Sequence, residues 1–243
     1  MKTSILGLSF LVAASLHAQT LIDSFGGTSV NSANWEAITP FADSSVVEGG
    51  GDVTLTNRGM LLSQNGFGPI ITITGQFEIV GNVHDQFMIT IGTTGSITNP
   101  HGAFVNGIQF QVISQFDNGS TSNNVNINAI SDDIQTISIV NATMPINIGQ
   151  LYDFKVTDDG FNTAFYVGNL ETPILTMSID QSGFGDLVGF NNREGADGGS
   201  LDSAGSVTEL SNVEISSVPE PATFGLILGT GAVLVVGTIK RRK

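Results

Sequence analysis

The chain contains no cysteine among its 243 residues. This absence excludes disulfide bonds, thiolate catalysis, cysteine-ligated zinc and lipidation of an N-terminal cysteine. Charge is also scarce, with 12% charged residues against 40% hydrophobic ones. A disordered acidic segment has the opposite composition, so the sequence indicates a globular protein that its hydrophobic core alone must stabilise.

Basic residues are few, and their placement is uneven. Only Arg58, Lys155 and Arg193 lie between residues 19 and 217, whereas that region holds every acidic residue except Glu220. A surface this negative repels phosphate backbones, so the sequence predicts no binding of nucleic acid. The same charge favours solubility and attracts cations.

Residues 1–18 have the plan of a secretory signal peptide. Lys2 supplies the positive charge, residues 5–14 form a short apolar run, and Ala18 is a small residue before a cleavage site. The apolar run is too short to span a bilayer. We therefore expect export, cleavage after Ala18, and a mature chain that begins at or near Gln19.

The C-terminal segment has a different plan. Residues 222–239 carry no charge, and as a helix they would be about 27 Å long, close to the roughly 30 Å hydrocarbon core of a bilayer. Lys240, Arg241, Arg242 and Lys243 follow directly, and the positive-inside rule places such a cluster in the cytoplasm. This pattern predicts a C-terminal transmembrane helix in the precursor, with the body of the chain outside the inner membrane.

Pro219, Glu220 and Pro221 lie immediately before this apolar span. Proline fixes φ and disfavours helix in the preceding residue, so the triplet should be extended and accessible to a membrane-embedded protease. Residues 218–243, with this triplet, a glycine-containing apolar span and a terminal basic cluster, resemble the PEP-CTERM sorting signal. The resemblance implies recognition by exosortase, a membrane cysteine protease of Gram-negative bacteria. It further implies processing near the triplet, transient anchoring in the inner membrane, and delivery to the cell surface or extracellular matrix, where exopolysaccharide and biofilm form.

The body alternates apolar and polar residues with a period of two. The pattern is clear in residues 86–91, 107–112, 125–129 and 152–156, and no amphipathic helix is evident. It predicts about a dozen half-buried strands, each with one face toward a core and one toward water. Asp-Asp-Gly at residues 158–160 indicates a hairpin. We therefore predict a single antiparallel β-sandwich, a jelly roll, over residues 19–217.

The order of several segments within this body carries a second resemblance. Asp23-Ser24-Phe25 and Asn34-Trp35 come early, Gly107-Ile108-Gln109-Phe110 is central, and Leu210-Ser211-Asn212-Val213-Glu214-Ile215 closes the chain of strands. This order is similar to that of concanavalin A-like lectin/glucanase and laminin-G-like jelly rolls. The resemblance implies the jelly-roll fold over nearly all of the body.

No catalytic motif is evident in the sequence. The Glu-x-Asp-x-x-Glu strand of jelly-roll glucanases, which places an acid and a nucleophile on one strand face, is absent. Glu78 and Glu214 stand isolated and are interpreted as solvent-facing strand residues, and His84 and His101 as surface residues. The sequence thus favours a non-catalytic surface or matrix protein that binds carbohydrate in exopolysaccharide. A secreted glycan-active hydrolase or lyase with an unrecognised site remains the alternative, and a structural coat protein is a third reading.

Two smaller features bear on ligands, and neither assigns a binding residue. Calcium prefers several oxygen ligands, which Asp117-Asn118, Asp132-Asp133 and the segment from Asn191 to Asp197 offer without a diagnostic spacing. No other cofactor is indicated. Trp35, the sole tryptophan, has a ring that could stack on a sugar, but its place near the first strand favours a structural position in the core or at an edge.

Overall fold

A computed structural model of the chain describes residues 18–81, 85–97, 103–114, 124–131, 136–194 and 205–217. Within these ranges the chain forms two antiparallel β-sheets and no helix. The prediction of an all-β antiparallel sandwich is confirmed. None of the described segments is a helix long and apolar enough to cross a membrane. Most of the predicted signal peptide, and the whole tail at residues 218–243 with its predicted transmembrane helix, lie outside the described residues.

Fifteen strands make up the two sheets within the described ranges. They are β1 (Thr20–Asp23), β2 (Trp35–Ile38), β3 (Ser45–Gly49), β4 (Asp52–Thr56), β5 (Met60–Ser63), β6 (Ile70–Ile79), β7 (Asp85–Thr93), β8 (Gly107–Ile113), β9 (Val125–Ile130), β10 (Thr136–Ala142), β11 (Leu151–Asp159), β12 (Asn162–Val167), β13 (Leu175–Ser178), β14 (Leu187–Glu194) and β15 (Val207–Ser217). Sheet A has the order β13-β12-β11-β6-β15-β4-β3, with β1 also paired to β15, and sheet B has the order β10-β9-β8-β7-β14-β5-β2.

The core lies between the two sheets and is rich in aromatic rings. Phe77 of sheet A stacks on Phe87 of sheet B, with 4.9 Å between the ring centroids. Trp35 is 1% exposed and meets Phe190 edge to face at 5.6 Å, while its indole Nε1 donates a hydrogen bond to Asp23 Oδ2 at 2.9 Å. The interpretation of Trp35 as a core residue is confirmed, since a buried and hydrogen-bonded indole has no face free for a sugar.

The predicted hairpin is also confirmed. Strands β11 and β12 pair in antiparallel register on either side of residues 158–160. Gly160 has φ +90°, which few residues other than glycine adopt, and its amide donates to Asp158 Oδ1 at 2.7 Å. The local sequence therefore determines this connection.

One expectation about the strands is wrong. The alternating pattern of β7 correctly places Phe87 and Ile89 in the core, but the residues of its other face, Gln86 and Thr90, were expected in water and are 5% and 0% exposed. A distant segment covers part of the outer face of sheet B. Phe104 packs there against Met60 and its neighbours in a second, smaller hydrophobic cluster.

Candidate functional site

Most of the functional residues predicted from the sequence lie outside the described residues. This holds for Pro219, Glu220 and Pro221, for Lys240, Arg241, Arg242 and Lys243, for His84 and His101, and for the calcium candidates at 117–118, 132–133 and 195–197. Ala18, the residue before the predicted signal cleavage, is exposed just before β1. These assignments stay predictions.

The outer face of sheet A contains three carboxylates at one open cavity, which we call the acidic groove. Glu78 on β6 lies directly opposite Glu209 on β15, and Asp52 lies on β4, the strand on the other side of β15. Residues directly opposite in an antiparallel pair have Cβ atoms about 4.5–5.5 Å apart. All three carboxylates line a cavity of about 410 Å³. Glu78 was interpreted as isolated, and the structure instead gives it an acidic partner.

Hydrogen-bonding side chains border the acidic groove. A register shift interrupts the β15–β6 pairing between Ser211 and Glu214, and Asn212 within it has φ 50°. The irregularity directs the Asn212 amide to Gln76, whose Oε1 accepts a hydrogen bond of 2.7 Å, and Gln76 Nε2 donates in turn to Asp153 at 2.9 Å. The amides beside the carboxylates are thus held in fixed positions.

The groove changes the protonation of one carboxylate. Burial raises the pKa of Glu209, and the nearby negative charges of Asp52 and Glu78 raise it further. Glu209 therefore keeps its proton to a higher pH than an ordinary glutamate. A carboxyl that stays protonated beside a second carboxylate is the combination that general acid catalysis requires.

The outer face of sheet B has a different chemistry, and we call it the amide face. Its outward positions on β7, β8, β9 and β14 hold six amide side chains, namely Gln86, Gln109, Gln111, Asn126, Asn128 and Asn191. The strand registers align them in rows, such as Asn126–Gln111–Met88–Asn191. In the described ranges, the outward positions of these four strands hold no carboxylate.

Strand β8 of this face carries amides at its outward positions, not carboxylates. Gln109 and Gln111 alternate on β8 as the carboxylates of the glucanase array alternate on their strand. An amide neither donates a catalytic proton nor attacks a sugar carbon, so this strand cannot supply an acid and a nucleophile. One cross-strand pair of carboxylates, Glu78 and Glu209, lies on the opposite sheet, where two separate strands contribute to it. A search for spaced acids on one strand does not detect such a pair.

Nothing in the described ranges supports a metal site. No group of three or more histidine, aspartate or glutamate side chains lies close enough together to hold a metal ion there. No such group lies in the acidic groove either, so the groove gives no support for a calcium site.

Comparison with known proteins gives a fold but no family. No protein-family model matches the chain, and no curated protein matches it. Among solved structures, it is similar to a protein of the human gut microbiota described with endo-acting O-glycanases that initiate mucin breakdown, at TM-score 0.59 and 11% identity, over 82% of this chain and 99% of that one. A LamA variant from Z. galactanivorans, in complex with laminaritriose and laminaritetraose, gives TM-score 0.57 and 12% identity over 81% and 98%. The β-glucanase of Bacillus licheniformis gives TM-score 0.56 and 11% identity over 82% and 98%.

These similarities correct the functional expectation. The chain has a jelly-roll β-sandwich that resembles those of family 16 glycoside hydrolases and concanavalin A-like proteins. Several structures that share it over most of their length are described as glucanases or glycanases, and this finding contradicts the prediction of a non-catalytic protein without enzyme activity.

Proposed function

We propose that the protein is an exported glycoside hydrolase that cleaves an extracellular glycan in the acidic groove. The observation that carries the proposal is the pair Glu78 and Glu209, which face each other across two strands in an open cavity. The fold supports the proposal independently of the site, because the chain shares this fold with glycan-cleaving enzymes.

The groove supplies the two groups that glycoside hydrolysis needs. One carboxyl group must protonate the leaving oxygen, while a nearby carboxylate attacks the sugar or activates water. Glu209 takes the first role, because burial and the charges of Asp52 and Glu78 raise its pKa. Glu78 takes the second role from the directly opposite position. The amides of Gln76 and Asn212, at the same cavity, can hydrogen-bond the hydroxyl groups of a bound sugar.

The route to the glycan follows from the ends of the chain. We propose that residues 1–18 direct export and that residues 218–243 anchor the precursor through a helix at 222–239. Exosortase then processes the chain near Pro219–Glu220–Pro221 and leaves the enzyme at the cell surface or in the exopolysaccharide matrix. The support is the order of triplet, apolar span and basic cluster in the sequence.

Hydrolysis is tested with the purified full chain and a panel of laminarin, mixed-linkage β-glucan and mucin, by measuring new reducing ends. Glu209→Gln keeps the shape of the side chain and removes its proton, so the rate should fall by about 10²- to 10⁴-fold. Glu78→Gln should lose activity as well. Glu214→Gln is the matched control, because Glu214 is an exposed residue of the same strand outside the cavity lining.

Two results would contradict the proposal. If the folded native chain releases no reducing ends from any glycan, the assignment as a hydrolase is wrong. If the native chain is active and Glu78→Gln and Glu209→Gln are as active as Glu214→Gln, the acidic groove is not the active site.

A further inference from the structure

The two sides of the sandwich differ in charge. The end strands of the two sheets lie together in pairs, β10 beside β13 on one side and β2 beside β3 on the other. Strands β2 and β3 carry Glu36 and Glu48, whereas β10 and β13 carry no charged residue. The chain has a formal net charge of −14 at pH 7. The side formed by β10 and β13, which we call the neutral side, is therefore the one of the two whose strands repel a second acidic molecule less.

Strand β10 is an exposed edge of sheet B. Within the described ranges it pairs with β9 alone, and Ile137 and Ile139 are 57% and 51% exposed. Proteins usually protect an edge strand by charge, proline, short length or a bulge. The seven residues of β10 include no charge and no proline, and a register irregularity between Thr136 and Ser138 leaves Ser138 to Ala142 regularly paired. The free edge of β10 can therefore pair with another strand.

The size of the neutral side suits a weak, reversible interface. At about 3.4 Å per residue β10 is about 24 Å long, and a side that is two sheet layers thick is about 20 Å wide. Two such sides that meet bury about 1,000 Å² in total, which is the lower limit for a specific interface. This area favours an association that depends on protein concentration.

We propose that a second copy of the chain pairs antiparallel with β10, so that sheet B runs continuously through a two-fold dimer. Antiparallel pairing keeps outward side chains on one face, so the exposed Ile139 side chains of the two copies cover apolar surface together. Both copies use the same edge, so the assembly closes at two. The two-fold axis stands perpendicular to the sheet, which places both acidic grooves on one face of the dimer. The pairing goes beyond the proposed hydrolysis and does not depend on it.

The experiment is analytical ultracentrifugation of the full chain over a range of concentrations. We expect a monomer–dimer equilibrium with a dissociation constant on the order of 10 µM, as a small interface without a large buried anchor gives. Raising the salt concentration from about 0.05 M to about 0.5 M should tighten the dimer, because salt screens the repulsion between two negatively charged copies.

Two matched variants locate the interface. Ile139→Glu places like charges near each other in the dimer and should weaken it at least about tenfold. Val47→Glu makes the same change in charge at a residue that is 59% exposed on β3, at the opposite side, and should leave the dimer nearly unchanged. Both variants keep residues 218–243, so any association through the tail affects them equally. Thermal melting confirms that each variant is folded.

Cross-linking tests the same edge without adding a charge. The chain has no cysteine, so Asn141→Cys gives a single thiol, at an exposed position of β10. A short bis-maleimide should convert this variant into a covalent dimer and leave Val47→Cys monomeric.

Three results would overturn the proposal. The first is a native chain that stays monomeric up to about 200 µM, well above the expected dissociation constant, which would leave the edge of β10 to a different occupant. The second is assembly beyond the dimer. The third is equal dimerisation of Ile139→Glu and Val47→Glu. None of these readouts depends on hydrolysis, so failure of this inference and failure of the proposed function are distinguishable.

Discussion

Gly189 lies on the outer face of sheet B directly beneath the ring of Phe104. A Cβ atom at this position would fall 3.0 Å or less from three carbon atoms of the ring, closer than real Cβ atoms approach. The ring cannot easily move, because Phe104 is fully buried against Met60 and Leu62. Gly189→Ala therefore forces the segment around Phe104 away from the sheet.

The size of the effect follows from the packing. Inserting a carbon atom into a well-packed site costs about 1–3 kcal/mol. Phe104→Ala alone removes a fully buried ring and should cost about 3–5 kcal/mol. In the double variant the alanine at 189 has no ring to meet, so its penalty disappears. The two changes should therefore be less than additive by about 1–3 kcal/mol.

Urea denaturation of the four proteins in this cycle gives the coupling free energy. Gly49→Ala is the control, since a Cβ at Gly49 would have no atom within 4 Å and its cost should stay within about 0.5 kcal/mol. If Gly189→Ala costs no more than the control, or if the cycle is additive within about 0.5 kcal/mol, the close contact between Phe104 and Gly189 is refuted.

Three further predictions concern the tail, a buried acid and the groove. Alanine at residues 219–221 should leave membrane insertion unchanged but block processing. An immunoblot in an exosortase-bearing host should then show a longer, membrane-bound form of the protein. If this variant is processed like the native chain, the sorting assignment is wrong. Burial raises the pKa of Asp158, although hydrogen bonds from Gly160 and Gln181 oppose the shift. The folded protein then binds this proton more tightly than the unfolded chain, so the contribution of Asp158 to stability falls as pH rises through the raised pKa. Urea midpoints should show this fall in the native chain and not in Asp158→Asn, and parallel curves would contradict it. Because the pKa of Glu209 is raised, the rate of hydrolysis should fall on the alkaline side as Glu209 loses its proton, and a pH–rate profile that stays flat there would remove Glu209 from the role of acid.

Features encoded within single strands and turns were predictable from the sequence. The alternation in β7 places Phe87 and Ile89 in the core, and the Asp-Asp-Gly turn joins β11 to β12. The closing segment Leu210–Ile215 lies within the last strand, β15 (Val207–Ser217). These features depend on periodicity and on turn residues, which adjacent positions of the chain determine.

Features that depend on distant segments were not predictable in this way. Thr90 alternates like a solvent-facing residue, and the segment that carries Phe104 covers part of the outer face on which it lies. Glu78 has no acidic neighbour in sequence, and the register of β6 against β15 gives it Glu209. That register includes an irregularity after Ser211, which no alternation pattern specifies. The candidate catalytic pair therefore follows from strand pairing between separate segments of the chain.

The charge of the acidic groove limits what the proposed active site can accept. Asp52, Glu78 and Glu209 line one cavity, so they should repel any substrate that carries carboxylate or sulfate groups at the sugars that enter it. If the proposed function holds, reducing ends should therefore appear from neutral laminarin or mixed-linkage β-glucan and not from polygalacturonate. Faster release from the anionic polymer than from the neutral ones would contradict the placement of the active site in the acidic groove.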